Sequence, residues 1–272
     1  MTAPGRPAMR RGRWSRRLVG LGIEATLPVL LVVVWFVSSA GSTNFYFPPL
    51  TRILHAFADA WFGSRFTEDI LPSVGRAGAG FGLAVLLGIG VGLALGGSAI
   101  ARALFEPLVE FCRAVPPPVL VPVAVLAFGI GDGMKISVIV AGAVWPVLLN
   151  TAEGVRGLDE VLRDTARGYR ITGWRRVWRV TLPAASPQIM AGIRTSLALS
   201  LIMMVISEMV GGTDGIGFFV QQAQRGFALP EMWAGILLLG LLGYLAHLLF
   251  SAVERRLLAW HRGARQTSRG ES

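Results

Sequence analysis

Cysteine, lysine and histidine are scarce in this chain of 272 residues, and each scarcity excludes a class of function. The single cysteine, Cys112, cannot form an intramolecular disulfide and fits no metal-binding pattern. The single lysine, Lys135, is not preceded by the glycine of a Gly-x-x-x-x-Gly-Lys-Ser/Thr loop, so the chain cannot hydrolyse ATP by that route. His55, His247 and His261 lie in separate segments and form no catalytic or metal-binding set. We therefore expect neither an intramembrane enzyme nor a bound cofactor or metal.

The chain is also poor in charge, which excludes a water-soluble domain of this size. Charged residues make up 15% of the sequence and hydrophobic residues 53%. A transmembrane helix needs about 20 predominantly apolar residues. We assign spans to residues 18–40, 74–97, 103–128, 136–149, 188–210 and 232–253. The fourth is short as bounded here, and its helix is expected to begin near Met134 and to continue through Thr151. The prediction is an all-α, polytopic membrane protein with about six transmembrane helices.

Arginine is distributed unevenly between the two sides of the predicted membrane. It is concentrated in residues 1–17, in the loop 158–187 and after residue 254, which six spans place on one side. The opposite loops carry few basic residues, so the positive-inside rule predicts that both termini and the arginine-rich loop are cytoplasmic. This distribution accounts for the net charge of +10. It argues against binding to nucleic acid, which favours one basic patch with interleaved aromatic residues.

The first span has an alternative interpretation as a signal peptide. Basic residues precede it, and Ser38, Ser39 and Ala40 resemble a cleavage site. Its apolar run is longer than that of an ordinary signal peptide, and cleavage would leave five spans with the N-terminus outside. We therefore expect an uncleaved span.

The external segment after the first span contains an aromatic cluster at 45–49. Ile53, Phe57 and Trp61 follow it at helical spacing, which predicts a short helix at the membrane interface. The predicted organisation begins with a basic cytoplasmic tail over 1–17 and a first span with its external segment over 18–73. A transmembrane core over 74–260, which contains the loop 152–187, and a cytoplasmic tail over 261–272 follow.

Small residues and prolines mark the second and third spans. Nine glycines lie between residues 75 and 97, where small side chains let helices approach closely, so we interpret them as packing positions. The third span contains Pro116, Pro117, Pro118 and Pro122, which remove backbone donors and must break or bend the helix. Broken helices at membrane depth line a cavity or lie buried in protein. This span is therefore either part of a transport pathway or a packing kink.

Charged residues inside the spans are costly and often functional. Glu106, Glu110 and Arg113 share one helix face, so we expect an internal ion pair, with a gate as the alternative. Glu208, near the outer end of the fifth span, is expected to bond the glycine-rich loop 211–217, with a role in substrate passage as the alternative. Arg194 is 14 positions away, about 21 Å along a helix, and cannot pair with Glu208.

The arginine-rich loop between the fourth and fifth spans is amphipathic. Apolar residues from Leu158 to Tyr169 recur at helical spacing, with acidic residues early and arginines late, which predicts a helix aligned with its dipole. After Gly173, the spacing of Trp174 and Trp178 predicts a second short helix that ends before residue 182. Two such helices are suited to a groove on a partner protein, and equally to a surface of anionic lipid headgroups.

An ordered pattern runs through this loop, consisting of Asp164-Thr165-Ala166, then Arg170, then Val180-Thr181-Leu182-Pro183. It resembles the cytoplasmic EAA loop of bacterial ABC importer permeases, which reads Glu-Ala-Ala, three residues, Gly, nine residues, Ile, any residue, Leu-Pro. The spacing matches in full. Arg170 stands at the glycine of the family pattern, so we expect Gly168 or Gly173 to supply the bend.

The resemblance extends over residues 74–260. Segments at 113–122, 128–131, 207–217 and 234–243 resemble the nitrate, sulfonate and taurine branch of these permeases. The resemblance implies a bacterial inner-membrane permease subunit of an ATP-driven importer. It also implies ATPase subunits on separate chains, a second permease chain that forms a homodimer with this one, and an extracytoplasmic solute-binding protein.

By the same resemblance, the helix 164–169 is the coupling helix that seats on the ATPase. The residues assigned to this contact are Asp164, Thr165, Ala166, Arg167, Tyr169, Arg170, Leu182 and Pro183. The candidate pathway or gate residues are Arg113, Pro116, Pro117, Pro122 and Glu208. An ion-coupled secondary transporter is the alternative function, because such proteins also contain broken helices. That alternative leaves the arginine-rich loop unexplained.

Overall fold

The computed structural model describes residues 26, 27 and 29–258, and all regular structure in this part of the chain is helical. The predicted all-α class is confirmed. The predicted tails, 1–17 and 261–272, and the basic start of the first span lie outside the described residues. The helices are α1 (Val29–Ser39), α2 (Leu50–Trp61), α3 (Leu71–Gly97), α4 (Ala99–Ala114), α5 (Val121–Phe128), α6 (Asp132–Arg156), α7 (Glu160–Gly168), α8 (Gly173–Arg176), α9 (Leu182–Gly211), α10 (Ile216–Arg225) and α11 (Leu229–Leu257).

Several helical stretches are long and apolar enough to cross a membrane. They are Phe66–Gly97, Asp132–Arg156, Gly173–Gly211 and Leu229–Leu257, with the bent pair α4 and α5 as a further candidate. These match the predicted second to sixth spans, and α6 begins before Met134 and passes Thr151 as expected. The predicted first span, 18–40, is only partly described, and α1 is the apolar helix within it.

The predicted break in the third span is confirmed. The chain bends by 88° between α4 and the helical turn that begins at Pro117. Val115 and Pro116 are extended at this point, and a 3-10 turn over Pro117–Leu120 leads into α5. The cause is the run of prolines, which have no N–H to donate to the preceding turn.

Wide π turns precede the prolines near the start of two long spans. The turn Phe66–Ile70 comes before Pro72, and the turn Val177–Thr181 comes before Pro183. A π turn moves the preceding carbonyl groups away from a proline ring that would otherwise clash with them. The expectation that the second cytoplasmic helix ends before residue 182 is therefore wrong, because α8 continues through this turn into α9.

The core is formed by α3, α6 and α9, and glycines decide how closely α3 and α6 approach. A Cβ atom added to Gly80, Gly88, Gly92 or Gly96 would lie 2.5–2.7 Å from atoms of α6. These glycines are packing positions, as predicted. A Cβ added to Gly75, Gly78, Gly82, Gly90 or Gly97 would meet no atom of another described element within 4 Å, so these glycines make no close helix contact within the described chain.

The predicted external helix is present as α2 and is fixed to the start of α11. The Trp61 indole N–H donates to the carbonyl of Ala234 at 3.4 Å, and Trp61 packs on the ring of Phe219. Ahead of α2, the carbonyl of Tyr46 accepts from the Trp233 indole at 3.1 Å. Aromatic side chains thus join the segments at the outer side of the bundle.

Candidate functional site

The helix α7 in the arginine-rich loop is fixed to the end of α6. Asp159 caps the N-terminus of α7, because its Oδ1 accepts from the backbone N–H of Val161 at 2.8 Å. Arg163 projects back from α7 and donates to the carbonyls of Val155 and Arg156 at 3.0 and 2.7 Å. These carbonyls belong to the last turn of α6, which has no helical partners for them. Two hydrogen bonds from Arg163 therefore tie α7 to the end of α6.

Arg170 itself makes the turn at the end of α7. Its φ is +52°, in the left-handed region that glycine favours. The N–H of Ile171 donates to the carbonyl of Ala166, and the N–H of Arg170 donates to that of Arg167, both at 2.9 Å. This pair of bonds is a Schellman motif with residue 170 at its left-handed position. An arginine therefore occupies the left-handed position directly after α7, and Gly168 does not supply this bend. Gly173 supplies a second left-handed turn, with a φ of +57°, where the chain enters α8.

The residues assigned to the coupling contact do not all face the same way. Most of them are exposed on the loop, namely Asp164, Thr165, Arg167, Tyr169 and Arg170. Arg167 forms an ion pair with Asp164 at 2.8 Å. Ala166 is only 3% exposed, so a larger side chain at this position would disturb the packing of α7 against the rest of the chain. The apolar side chains of Val161 and Tyr169 are 72% and 78% exposed. The outer face of α7 therefore carries exposed apolar surface.

Leu182 and Pro183 lie at the beginning of α9. Leu182 packs with Leu158 on a cluster that contains Val155, Ala185 and Ile189. The side chains of α6, the loop and α9 thus meet beneath α7. Leu182 has a packing role in this arrangement, whereas Pro183 is exposed.

The broken third span carries the ion pair that its sequence predicts. Arg113 donates to Glu110 at 2.5 and 2.9 Å, whereas Glu106 faces Arg156 of α6 at 4.0 Å. A cavity of about 200 Å³ separates α4 from α6, and the buried Nε of Arg102 has no hydrogen-bond partner in the described chain. The charged residues that line this cavity are Arg102, Glu106, Glu110, Arg113, Glu153 and Arg156.

The prolines of the break differ in their surroundings. Pro116 and Pro122 are exposed, and Pro117 is half-buried beside Gly142 of α6. A Cβ added to Gly142 would lie 3.5 Å from Pro117 and 2.4 Å from Met203 of α9. The break is thus packed on one side and open on the other.

A network of charged side chains joins the core helices at the end of the bundle opposite α7. Arg76 of α3 donates to Asp132 at 2.7 Å, to Glu208 at 3.3 Å and to Asp214 at 2.5 Å. Glu208 is fully buried and also accepts from the hydroxyl of Ser73 and from the N–H of Gly217, at 2.7 and 2.9 Å. The predicted bond between Glu208 and the glycine-rich loop is confirmed.

Lys135 and Asp214 complete this network. Lys135, which the sequence places in an external loop, is buried in the first turns of α6 and donates to Asp214 at 2.9 Å. Burial alone would raise the pKa of the Asp214 carboxyl, but the hydrogen bonds and charges of Lys135 and Arg76 outweigh it and hold the pKa below its ordinary value. Asp214 is therefore ionised in the folded protein at neutral pH.

The sequence does not reveal this network, although it contains its parts. Arg76 lies inside a predicted span, and such a charge requires a buried partner. Its partner Glu208 lies 132 residues further along the chain. The available signal is that Arg76 and Glu208 are each a charge near the end of a predicted span.

Comparison with known proteins identifies the family. Residues 84–259 match the model of the binding-protein-dependent transport system inner membrane component. The chain is 32% identical over 261 residues to the taurine transport permease TauC of Escherichia coli, with 93% of this chain and 94% of TauC covered. It is 30% identical over 258 residues to SsuC of Bacillus subtilis, a putative aliphatic sulfonates permease, with 94% and 91% covered.

Further similarities agree with this identification. The bicarbonate transport permease CmpB of Synechococcus elongatus is 30% identical over 257 residues, with 90% of this chain and 92% of CmpB covered. A chain of the MetNI methionine ABC transporter, solved in inward-facing conformations, has the same fold with a TM-score of 0.56. It shares 20% identity, over 68% of this chain and 94% of that chain. The chain therefore belongs to the family of binding-protein-dependent transport system inner membrane components, as a multi-pass permease of the inner membrane.

Proposed function

We propose that this chain is the membrane-spanning permease subunit of an ATP-driven ABC importer. Two copies form the transport pathway as a homodimer, and ATPase subunits on separate chains drive it from the cytoplasm. An extracytoplasmic binding protein delivers the solute. Both termini and the loop with α7 face the cytoplasm, as the arginine distribution favours. In this proposal, cytoplasmic tails are formed by residues 1–17 and 261–272. The chain is anchored by residues 18–73, and the transport core is formed by residues 74–260.

The observation that carries this proposal is the exposed apolar surface on α7. Val161 and Tyr169 project from a helix that Arg163 fixes to α6. Exposed apolar side chains on a rigid protrusion mark a contact with another protein. The chain has no phosphate-binding loop of its own, so the energy of ATP must enter through such a contact.

The solute is proposed to be a small anion. The relatives named above transport taurine, sulfonates and bicarbonate, which are all small molecules with an anionic oxygen group. The cavity between α4 and α6 is lined by three arginines and three glutamates, and the Nε of Arg102, which has no partner in the described chain, is the group there that is suited to donate to such an oxygen. We assign Arg113, Pro116, Pro117 and Pro122 to the pathway or its gate, because they border this cavity or the break beside it. We assign Glu208 to holding the outer ends of the helices together.

The proposal is tested by separating ATP hydrolysis from uptake. The transporter is reconstituted from this chain, its ATPase subunit and its solute-binding protein. Asp164→Trp places a bulky group on the exposed face of α7, and we expect ATP hydrolysis to continue while solute uptake falls at least tenfold. Asp59→Trp, on the exposed face of α2, is the matched control and is expected to leave both unchanged. Equal uptake by the two variants would contradict the assignment of α7 to coupling.

A further inference from the structure

The helical stretch that leads from α8 into α9 is amphipathic, and we refer to its residues 173–181 as the tryptophan segment. Trp174 and Trp178 are 70% and 58% exposed, and their rings meet edge to face with centroids 5.7 Å apart. At about 100° per residue, the other side of this helix carries three arginines, Arg175, Arg176 and Arg179. None of these arginines makes an ion pair in the described chain. An exposed aromatic side and an unpaired basic side are typical of a helix at a membrane surface.

The two helical parts of the arginine-rich loop differ in their acidic residues. Asp159, Glu160 and Asp164 all lie in α7 or directly before it, and no acidic residue follows them until Glu208. A surface of anionic lipid repels carboxylates and attracts arginines. The tryptophan segment is therefore suited to anionic lipid, whereas α7 is not.

The end of α3 marks the level at which the apolar core of the bundle stops. Arg76 belongs to the charged network at the end of the bundle opposite α7, and Gly97 is the last residue of the same helix. These two residues are about 32 Å apart along the helix axis, which is close to the thickness of the hydrocarbon core of a bilayer, about 30 Å. Gly97 therefore lies at the boundary between hydrocarbon and headgroups on the side of α7.

The tryptophan segment lies at the level of this boundary. Gly173 and Arg176 line a cavity of about 280 Å³ together with Gly96 and Gly97. A cavity of this volume is about 8 Å across, and the headgroup layer on one side of a bilayer is about 5–8 Å thick. The segment therefore lies within the headgroup layer.

The cavity itself has the charge that a lipid phosphate requires. Its charged lining consists of Arg163 and Arg176, with no carboxylate. Arg163 already donates to the last carbonyls of α6, so Arg176 is the donor that remains. Guanidinium groups form strong, charge-assisted hydrogen bonds with phosphate.

The length of the helix that carries the tryptophan segment agrees with this level. Gly173–Gly211 is a continuous helix of 39 residues, about 58 Å long. A bilayer with its headgroups is about 40–45 Å thick, which such a helix spans at a tilt of about 40°, the upper end of the ordinary range. The π turn Val177–Thr181 is a point at which a helix bends, and a bend there reduces the tilt that is needed. Both ends of the helix thus reach the headgroups.

We propose that the tryptophan segment is a binding site for anionic phospholipids. Trp174 and Trp178 lie at the edge of the hydrocarbon, where tryptophan is enriched in membrane proteins. Arg175, Arg176 and Arg179 bind the lipid phosphates, with Arg176 at the cavity beside the end of α3. The inference rests on the proposed function only for the side of the membrane, which is the cytoplasmic leaflet.

This site gives the two parts of the loop partners of different chemistry. The exposed surface of α7 meets protein in the proposed function, and α7 is tied to α6. The tryptophan segment meets lipid, and its helix continues without a break into α9. The start of α9 is thus held at the membrane surface while α7 and the end of α6 follow the ATPase.

The inference is tested by quenching of tryptophan fluorescence in vesicles that contain this chain and no other protein. The difference between the unaltered chain and Trp174→Phe with Trp178→Phe isolates the signal of the two indoles. Brominated phosphatidylglycerol or brominated phosphatidylcholine is mixed in increasing proportion into ordinary phosphatidylcholine. We expect the proportion that gives half-maximal quenching of this signal to be at least tenfold lower for the anionic lipid. Equal proportions for the two lipids, or a signal that neither lipid quenches, would overturn the inference.

The arginines are tested in the same assay. Loss of all three charges by Arg175→Gln, Arg176→Gln and Arg179→Gln is expected to bring the two proportions within about twofold of each other. Arg52→Gln with Arg225→Gln is the matched control, because these arginines are also exposed and unpaired in the described chain, and it is expected to keep the preference. A preference that survives the loss of the three charges would contradict the site.

Smaller changes guard against a variant that does not fold. Trp174→Phe and Trp178→Phe, made singly, each isolate the signal of one indole. Each signal is expected to show the same preference for the anionic lipid. A preference at neither position would overturn the inference.

The outcomes are independent of the proposed function, because the vesicles contain no ATPase, ATP or binding protein. Failure of uptake by the complete transporter would overturn the proposed function and leave the lipid preference unchanged. A final arm adds the ATPase subunit in excess to the unaltered chain and the double phenylalanine variant. Unchanged quenching of the difference signal supports the inference. Loss of that quenching would show that protein covers the two tryptophans, and would overturn it.

Discussion

The guanidinium of Arg76 on α3 lies 3.3 Å from the carboxylate of Glu208 on α9, and both side chains are buried. A buried charge is tolerated only where opposite charge and hydrogen bonds surround it. Glu208 receives three hydrogen bonds, from Arg76, Ser73 and Gly217, and so joins α3, α9 and the start of α10. This end of the bundle is therefore held by polar bonds, whereas the middle of the bundle is held by close packing at glycines.

Removal of Arg76 is expected to be strongly destabilising. Arg76→Ala leaves Glu208, Asp132 and Asp214 without their shared partner, and breaking a buried ion pair costs about 3–5 kcal/mol. Thermal unfolding of the detergent-solubilised chain measures this loss as a lower midpoint. Arg225→Ala, at an exposed arginine without an ion pair in the described chain, is the control and is expected to change little. Equal midpoints for the two variants would contradict a structural role for the network.

The contribution of Asp214 is expected to depend on pH. The pKa of the Asp214 carboxyl is lower in the folded protein than its ordinary value of 3.8. The ionised carboxylate therefore stabilises the fold at neutral pH. This contribution to stability is lost as the pH falls through the pKa of the folded state. Asp214→Asn should therefore lower the unfolding midpoint at pH 7 and differ progressively less from the unaltered chain as pH falls below about 4. Asp59→Asn is the control. A difference that stays constant from pH 7 to 3 would show that the charge of Asp214 does not contribute.

Gly90 and Gly92 are two residues apart and therefore lie on nearly opposite faces of α3, so the same substitution is expected to have different effects at the two positions. Gly92→Ala places a Cβ atom 2.6 Å from the carbonyl oxygen of Leu148 and from Thr151, which is overpacking and costs about 1–3 kcal/mol. Gly90→Ala meets no described atom within 4 Å and improves helix propensity, so it is expected to be neutral or slightly stabilising. Thermal unfolding of both variants measures the contrast. A loss of stability in Gly90→Ala as large as that in Gly92→Ala would contradict the close contact of α3 and α6.

The turn after α7 is expected to become more stable with glycine. Arg170 has a left-handed backbone that costs an ordinary residue about 1–2 kcal/mol, and Arg170→Gly removes this strain. Arg170→Ala retains the strain and serves as the control. We expect the unfolding midpoint of Arg170→Gly to exceed that of Arg170→Ala in the isolated chain. The reverse order would show that the arginine side chain stabilises the turn by more than the backbone strain costs.

The sequence predicts those parts of the fold that depend on local properties. The positions of the spans follow from the length of the apolar runs. The break in the third span follows from Pro116, Pro117 and Pro118, because proline has no backbone N–H in any structural context. The pair of Glu110 and Arg113 is also local, because both lie on one helical turn. Each of these features is set by residues close together in the chain.

Features that depend on how helices face each other are not predicted. Gly90 and Gly92 are indistinguishable in sequence, and only the rotation of α3 against α6 decides which of them is in contact. Lys135 and Asp214 are 79 residues apart, so their pairing depends on the complete fold. The left-handed turn at Arg170 is set by the hydrogen bonds of the surrounding backbone, which overrule the preference of the residue.

The most direct measurement of the central claim is solute accumulation in proteoliposomes of defined composition. Vesicles that contain this chain, its ATPase subunit and internal ATP, with the binding protein outside, are expected to accumulate the solute against its gradient. Vesicles that contain this chain alone, under an imposed proton or sodium gradient, are expected to accumulate none. Accumulation by the chain alone would contradict the account and would indicate an ion-coupled secondary transporter.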